Sequence, residues 1–219
     1  MISGIFTTSL VAQDWANLNK FEQKNSTIKP PLKKEHRVVF MGNSITENWI
    51  KTDPDYFVKN PYISRGISGQ VTSQMLIRFR PDVINLQPDI VVILAGTNDI
   101  AQNKGPITLD KIAGNIFSMI ELAQAHKIKV VLCSVLPSNK YLWRPDIKPA
   151  DQIIKLNAML KKYAKENRVT YVDFYPLMVN KNKGLRKDYG MDGKDTVHPN
   201  MKGYKIMEAE VDKIIDKLK

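Results

Sequence analysis

A chain of 219 residues, 43% hydrophobic and 25% charged, has the make-up of one globular domain with enough apolar side chains for a proper core. Its formal net charge of +11 comes from basic residues spread along the sequence, denser only at Lys33-Lys34, Lys161-Lys162 and from Lys181 to Lys187. That scatter argues against a nucleic-acid partner and reads as a solvated basic surface, with weak attraction to acidic polymers as the other reading.

No run of about 18 apolar residues occurs, so no membrane span is expected. Met1 to Ala12 is small and apolar and contains no lysine or arginine. It reads as the remnant of a signal segment that lacks the positive leading region, and it favours a periplasmic or secreted location over a cytoplasmic one. Residues 13–219 then make a single domain. Cys133 sits in the apolar run Val130 to Val135 and is expected in the core. The 3 histidines and single cysteine show no zinc-type spacing, so neither a metal nor another cofactor is expected. Nothing in the sequence marks an oligomeric state.

In chain order, Asp14 to about Lys24 carries Trp15, Leu18 and Phe21 near helical spacing and predicts a short packing helix, ended by Pro30-Pro31. His36 to Met41 predicts the first strand, and Ile45 to Ile50 a short helix closed off by Asp53-Pro54. Tyr62 to Ser64 is a second strand, with Gly66 to Gly69 as the loop after it. Val71 to Asn85 reads as a helix with a break or kink at Pro81. Asp89 to Ala95 is β-branched and apolar with little alternation, the mark of a strand buried on both faces, and Lys129 to Val135 repeats the pattern. Between them, Ile112, Ile116, Met119, Ile120 and Ala123 form a helical stripe from Leu109 to His126. A helix from Pro149 to Glu166, a short strand from Val169 to Val172 and a helix from Met201 to Leu218 complete the chain. Such alternation predicts an α/β fold in which helices cover both faces of a parallel sheet through right-handed crossovers.

Ser44 follows the first strand across Gly42, which lifts its hydroxyl to the carboxyl edge of the sheet, where open α/β folds keep their ligands. One reading makes Ser44 the N-cap of the next helix, with Glu47 completing a capping box. The other makes it a nucleophile. Gly69 and Asn98 also lie just past strand ends, so three distant loops share one rim. Asp195 and His198, one turn apart, read either as the start of the last helix or as an orienting acid and its base. Acyl transfer needs a nucleophile, a base, a group that orients the base and donors for the oxyanion. Ser44, His198 and Asp195, with the Gly69 N–H, the Asn98 amide and the Ser44 N–H as donors, fill those roles together. A phosphate-binding loop would need a lysine after its glycines, and a dinucleotide fingerprint would need three glycines after the first strand. The G-x-S-x-G elbow matches at Gly42, Asn43 and Ser44 but has Thr46 where its last glycine belongs.

Met41-Gly42-Asn43-Ser44-Ile45-Thr46, Arg65-Gly66-Ile67-Ser68-Gly69-Gln70, Ala95-Gly96-Thr97-Asn98-Asp99 and Asp195-Thr196-Val197-His198-Pro199 stand in an order that resembles the SGNH (GDSL-like) hydrolase superfamily. The resemblance runs from Val38 to Pro199. It implies Ser44 as nucleophile, Gly69 and Asn98 as oxyanion donors, and Asp195 and His198 as the rest of the triad. It further implies a flavodoxin-like three-layer α/β/α sandwich with about five parallel strands. The chain departs from the family's Gly-Asp-Ser at Asn43, whose side chain keeps an acceptor for the turn without the negative charge. Asp99 is expected to be a structural hydrogen-bond partner between loops.

The family favours short acyl esters, and the expected activity is hydrolysis of acetyl esters, on carbohydrates foremost. Alternatives are a lysophospholipase, a thioesterase or a platelet-activating-factor-type acetylhydrolase, and, outside enzymes, a silent domain that binds acidic polymers. Asn43, Trp49 and Trp143 are the expected substrate contacts, and Tyr56 and Arg144 lie in segments that could border the site.

Overall fold

Val38 to Gly42 and Ile90 to Leu94 are buried at every position, which is what their unbroken apolar character requires of central strands in a parallel sheet. The computed structural model describes residues 14–193 and 195–219, and the expected signal remnant, Met1 to Ala12, lies outside them. Within that span α1 (Glu22–Thr27) precedes β1 (Val38–Gly42), and α2 (Ser44–Thr52) and α3 (Pro54–Val58) lead to β2 (Tyr62–Gly66). Next, α4 (Thr72–Ile77) and α5 (Phe79–Asp82) lead to β3 (Ile90–Leu94), followed by α6 (Thr97–Ile100) and α7 (Leu109–Ala125). Finally β4 (Lys129–Cys133), α8 (Ala150–Glu166), β5 (Thr170–Val172), α9 (Tyr175–Met178) and α10 (Met201–Leu218) complete the chain. Among the described residues no helix is long and apolar enough to cross a membrane.

The 5-stranded sheet is parallel throughout in the order β2-β1-β3-β4-β5. The direction in which successive strands are added reverses between β1 and β3, and right-handed crossovers on the two sides of that reversal put helices on opposite faces. On one face α2, α3 and α10 pack together, with Trp49 stacked on Tyr204 at 5.4 Å between ring centroids. On the other, α7 meets α8 through Phe117 and Tyr163, stacked at 3.7 Å. The register decides where the loops begin. Gly42 pairs with Gly66 on one side and Leu94 on the other, so β2, β1 and β3 end level on one rim.

Two segments differ from the sequence expectation. The helix expected across Trp15, Leu18 and Phe21 is broken, because Asn17 takes a left-handed conformation (φ 57). A 3-10 turn, Leu18–Lys20, follows it, Phe21 alone of the three aromatic and apolar positions is buried, and Trp15 stays 43% exposed. The helix expected from Val71 to Asn85 breaks at Arg78, not at Pro81. Pro81 is tolerated because it falls in the opening turn of α5, where no backbone donor is lost.

Candidate active site

At the end of β1 the chain must turn sharply with no side chain in the way: a Cβ on Gly42 would lie 1.9 Å from Thr46 Oγ1. Asn43 then caps α2, its Oδ1 accepting from Ile45 N at 3.1 Å. Ser44 is therefore the first helical residue and not the cap, and its N–H is among those that no helical carbonyl reaches. The capping box fails for a second reason. Glu47 does not turn back to the helix start but accepts from the N–H and hydroxyl of Ser68, at 2.6 and 2.5 Å, in the loop after β2. Burial pushes the Glu47 carboxyl up, but Lys51 and Ser68 outweigh it and bring it down to about 2.

Across from Ser44, the segment before α10 carries both remaining groups. His198 Nε2 lies 2.9 Å from Ser44 Oγ, and His198 Nδ1 lies 2.7 Å from Asp195 Oδ2. The other carboxylate oxygen, Asp195 Oδ1, accepts from the N–H groups of Val197 and His198 at 2.7 and 2.9 Å, closing a tight local turn. Burial raises the Asp195 carboxyl, yet His198 and these two amides outweigh it, leaving the group below the usual carboxylate range. Tyr204 fixes the segment over the serine by donating from its hydroxyl to Ile45 O at 2.8 Å, joining α10 to α2.

Gly69 has φ +77, a left-handed conformation natural to glycine, in the loop after β2. Its N–H and that of Ser44 reach no protein acceptor among the described residues. Asn98, buried after β3, donates from Nδ2 to Gln70 O at 2.9 Å, which leaves its second amide hydrogen free. Its Oδ1 accepts from Asn103 Nδ2 at 3.1 Å, a contact the sequence does not signal. Asp99 clasps the same two loops. Both its oxygens lie 3.0 Å from Thr72 N, and Oδ1 accepts from Thr72 Oγ1 at 2.6 Å, as its expected structural role requires. Burial raises the Asp99 carboxyl to about 6 against these stabilising bonds.

Beneath the rim lies Arg78, fully buried and invisible to motif reading. Its guanidinium donates to Gly42 O and Arg65 O, each at 2.9 Å, to Gln70 Oε1 at 2.5 Å and to Asp82 Oδ2 at 2.9 Å. One side chain thus ties the ends of β1 and β2 to the loop that holds Asn98.

Two of the three expected substrate contacts are not surface residues. Asn43 is 1% exposed and occupied as a helix cap. Trp49, also 1% exposed, lies between Tyr56 and Tyr204 and donates from Nε1 to Glu208 Oε1 at 3.0 Å. It sits five residues beyond Ser44, and at about 100° per residue the helix turns it well away from the serine and into the core. Tyr56 is buried with it. Trp143 remains on the rim, exposed, with its Nε1 bonded to Asn103 Oδ1 at 3.0 Å, while Arg144 binds Ala101 O at 2.9 Å. The loop after β4 is thereby fastened to the loop carrying Asn98, and Thr196 Oγ1 fastens the Asp195 segment to it through Lys140 O at 2.9 Å.

The model of the GDSL-like Lipase/Acylhydrolase family matches residues 40–206, a span holding all four blocks. The chain belongs to that family. As a GDSL-like acylhydrolase it is a carboxylic ester hydrolase. Its fold matches the crystal structure of a GDSL-like lipase from Bacteroides thetaiotaomicron with a TM-score of 0.89 and 52% identity, covering 92% of this chain and 98% of that one. The isoamyl acetate-hydrolyzing esterase of Saccharomyces cerevisiae is 25% identical over 212 residues, 82% of this chain and 86% of that protein. An uncharacterized lipoprotein of Bacillus subtilis is 32% identical over 78 residues, a match that takes in 34% of this chain and about a third (32%) of the lipoprotein.

Proposed function

We propose that this GDSL-like acylhydrolase is a serine esterase that cleaves short acyl esters, acetyl esters foremost, of hydroxyl-rich alcohols such as carbohydrates. The observation that carries the reading is the unbroken chain from Asp195 through His198 to Ser44, with links of 2.7 and 2.9 Å. Ser44 Oγ attacks the ester carbonyl while His198 Nε2 takes its proton. Asp195 holds the other ring nitrogen and stabilises the imidazolium that forms. The N–H groups of Gly69 and Ser44 and the Asn98 amide receive the oxyanion. His198 then protonates the departing alcohol, and a water molecule activated by the same imidazole releases the acid from Ser44. A relative that hydrolyses isoamyl acetate supports a small acyl group. The Trp143 ring, bonded edge-on to Asn103 and open to solvent, supports a ring-shaped alcohol portion.

The test is a panel of p-nitrophenyl esters from acetyl to palmitoyl beside acetylated sugars, with Ser44→Ala as control. Acetyl should be preferred, and Ser44→Ala should lower kcat by roughly 10³ to 10⁶. Wild-type turnover in that variant, or a preference for long chains, refutes the proposal.

A further inference from the structure

Beside Gly69 opens a cavity of about 280 Å³ walled by Trp15, Asn17, Ser68, Gln74 and Lys104. A Cβ built on Gly69 would meet nothing within 4 Å, so the space beside its Cα is open. The wall is built, not incidental. Gln70 Nε2 and Gln74 Nε2 donate to the carbonyls of Ala16 and Trp15, each at 2.6 Å, and so pin the leading segment onto the oxyanion loop. Arg78 in turn fixes the Gln70 amide. That segment precedes the span matched by the family model, residues 40–206, so Trp15 and Asn17 add to the matched span a side of the cavity that Ser68, Gln74 and Lys104 complete from within it. Pinning the backbone leaves the Trp15 ring 43% exposed, where burial would be the ordinary fate of so large a side chain.

Opposite stands Lys104, at the tip of a turn between Gln102 (φ 55) and Gly105 (φ 96), closed by Gly105 N donating to Gln102 O at 3.0 Å. Among the described residues it pairs with no carboxylate. An indole face, the exposed Asn17 amide, the Ser68 hydroxyl and an unneutralised ammonium make a poor bed for an alkyl chain, the amides of Gln70 and Gln74 being already bonded within the protein. They suit a ring whose hydroxyls bond to the Asn17 amide and the Ser68 hydroxyl, whose apolar face covers the indole and which carries a negative group for the lysine. The volume, near the lower limit of about 300 Å³ for ligand clefts, holds one such unit.

We infer that this cavity is a subsite for an anionic sugar unit of the alcohol portion of the ester, with Trp15 as its platform and Lys104 as the group that selects the charge. The inference rests on the esterase reading above and names the substrate class that reading leaves open.

Mono-O-acetyl glucuronate and mono-O-acetyl glucose, which differ in one carboxylate, test it alongside p-nitrophenyl acetate. Wild type should favour the glucuronate ester in kcat/KM by about fivefold or more at low salt, and about 0.5 M sodium chloride should shrink the preference. Lys104→Glu should abolish or invert it, whereas Lys165→Glu, an equal charge change on α8, should leave it in place. Trp15→Ala should lower kcat/KM on both sugar esters about tenfold more than on p-nitrophenyl acetate, mainly through KM. A wild-type preference near one, or a preference that survives Lys104→Glu, overturns the subsite. If p-nitrophenyl acetate is still turned over, only the subsite has failed. If wild type cleaves none of the three, the esterase reading fails and takes the subsite with it.

Discussion

Replacing Arg78 by methionine keeps most of its bulk and removes every donor it offers. Asp82, 1% exposed, would then hold a buried carboxylate without its cation, and loss of one partner of such a pair costs about 3–5 kcal/mol. At about 2–4 °C per kcal/mol for a domain of 219 residues, the melting temperature should fall by roughly 10 °C. Stability and catalysis should then part company in a second variant. Arg78→Met with Asp82→Leu removes the stranded charge and leaves Asn25 Nδ2 its bond to Pro81 O at 3.1 Å, so at least about half of the lost stability should return. Activity should not return with it. Gln70, whose carbonyl holds Asn98, still lacks the 2.5 Å bond to its Oε1, and the carbonyls of Gly42 and Arg65 still lack the guanidinium, Gly42 O keeping the Ile67 N–H at 3.2 Å. Both variants should lose about tenfold or more in kcat/KM. Urea unfolding followed by tryptophan fluorescence, with p-nitrophenyl acetate kinetics on the same samples, measures both quantities. A single variant that costs under about 1 kcal/mol, or a double variant with wild-type kcat/KM, would refute Arg78 as the tie between strand ends and oxyanion loop.

Asp99 makes stability depend on pH in a definite direction. Its folded carboxyl sits at about 6 against an ordinary 3.8, so folding favours its protonated form. The contribution is fully present below about pH 4 and is lost as pH rises through 6, up to about 3 kcal/mol at 1.36 kcal/mol per unit. Unfolding midpoints between pH 4 and 7 should slope downward less in Asp99→Asn than in wild type; equal slopes would contradict the assignment. Asn103→Ala frees Asn98 Oδ1 and releases the Trp143 ring. Under the proposed mechanism it should cut kcat on ethyl acetate, whose alcohol has no ring to stack, about tenfold with little change in KM, because the Asn98 amide would act on the oxyanion and not on bound ester. An effect confined to KM would argue against that role. Trp49→Ala should destabilise by about 3–5 kcal/mol as a core cavity, while KM for short esters stays within about twofold. A large rise in KM would return Trp49 to the substrate site.

The strands were legible because burial on both faces writes itself into sequence as unbroken apolar runs, and α10 (Met201–Leu218) matches its expected limits for the complementary reason of a long amphipathic stripe. The positions of Ser44, Gly69 and Asn98 followed from strand ends, and the level register of β1, β2 and β3 explains why they share one rim, whereas His198 was read from the segment before the last helix. Side-chain direction was less accessible. Trp49 and Trp143 look equivalent as aromatic residues near site loops, yet helix phase sends one into the core and a loop leaves the other in water. Arg78 reads as a solvated helix residue in isolation, and only the packing of three loops above it explains both its burial and the helix break there. Trp15 escaped for a similar reason: a left-handed Asn17 breaks a stripe whose spacing alone suggested a packing face.

Because Asp195 accepts the backbone N–H of His198 as well as bonding its ring, acid and base are two ends of a single four-residue knot. They travel as a unit. A displacement of that segment would carry imidazole and carboxylate away from Ser44 together.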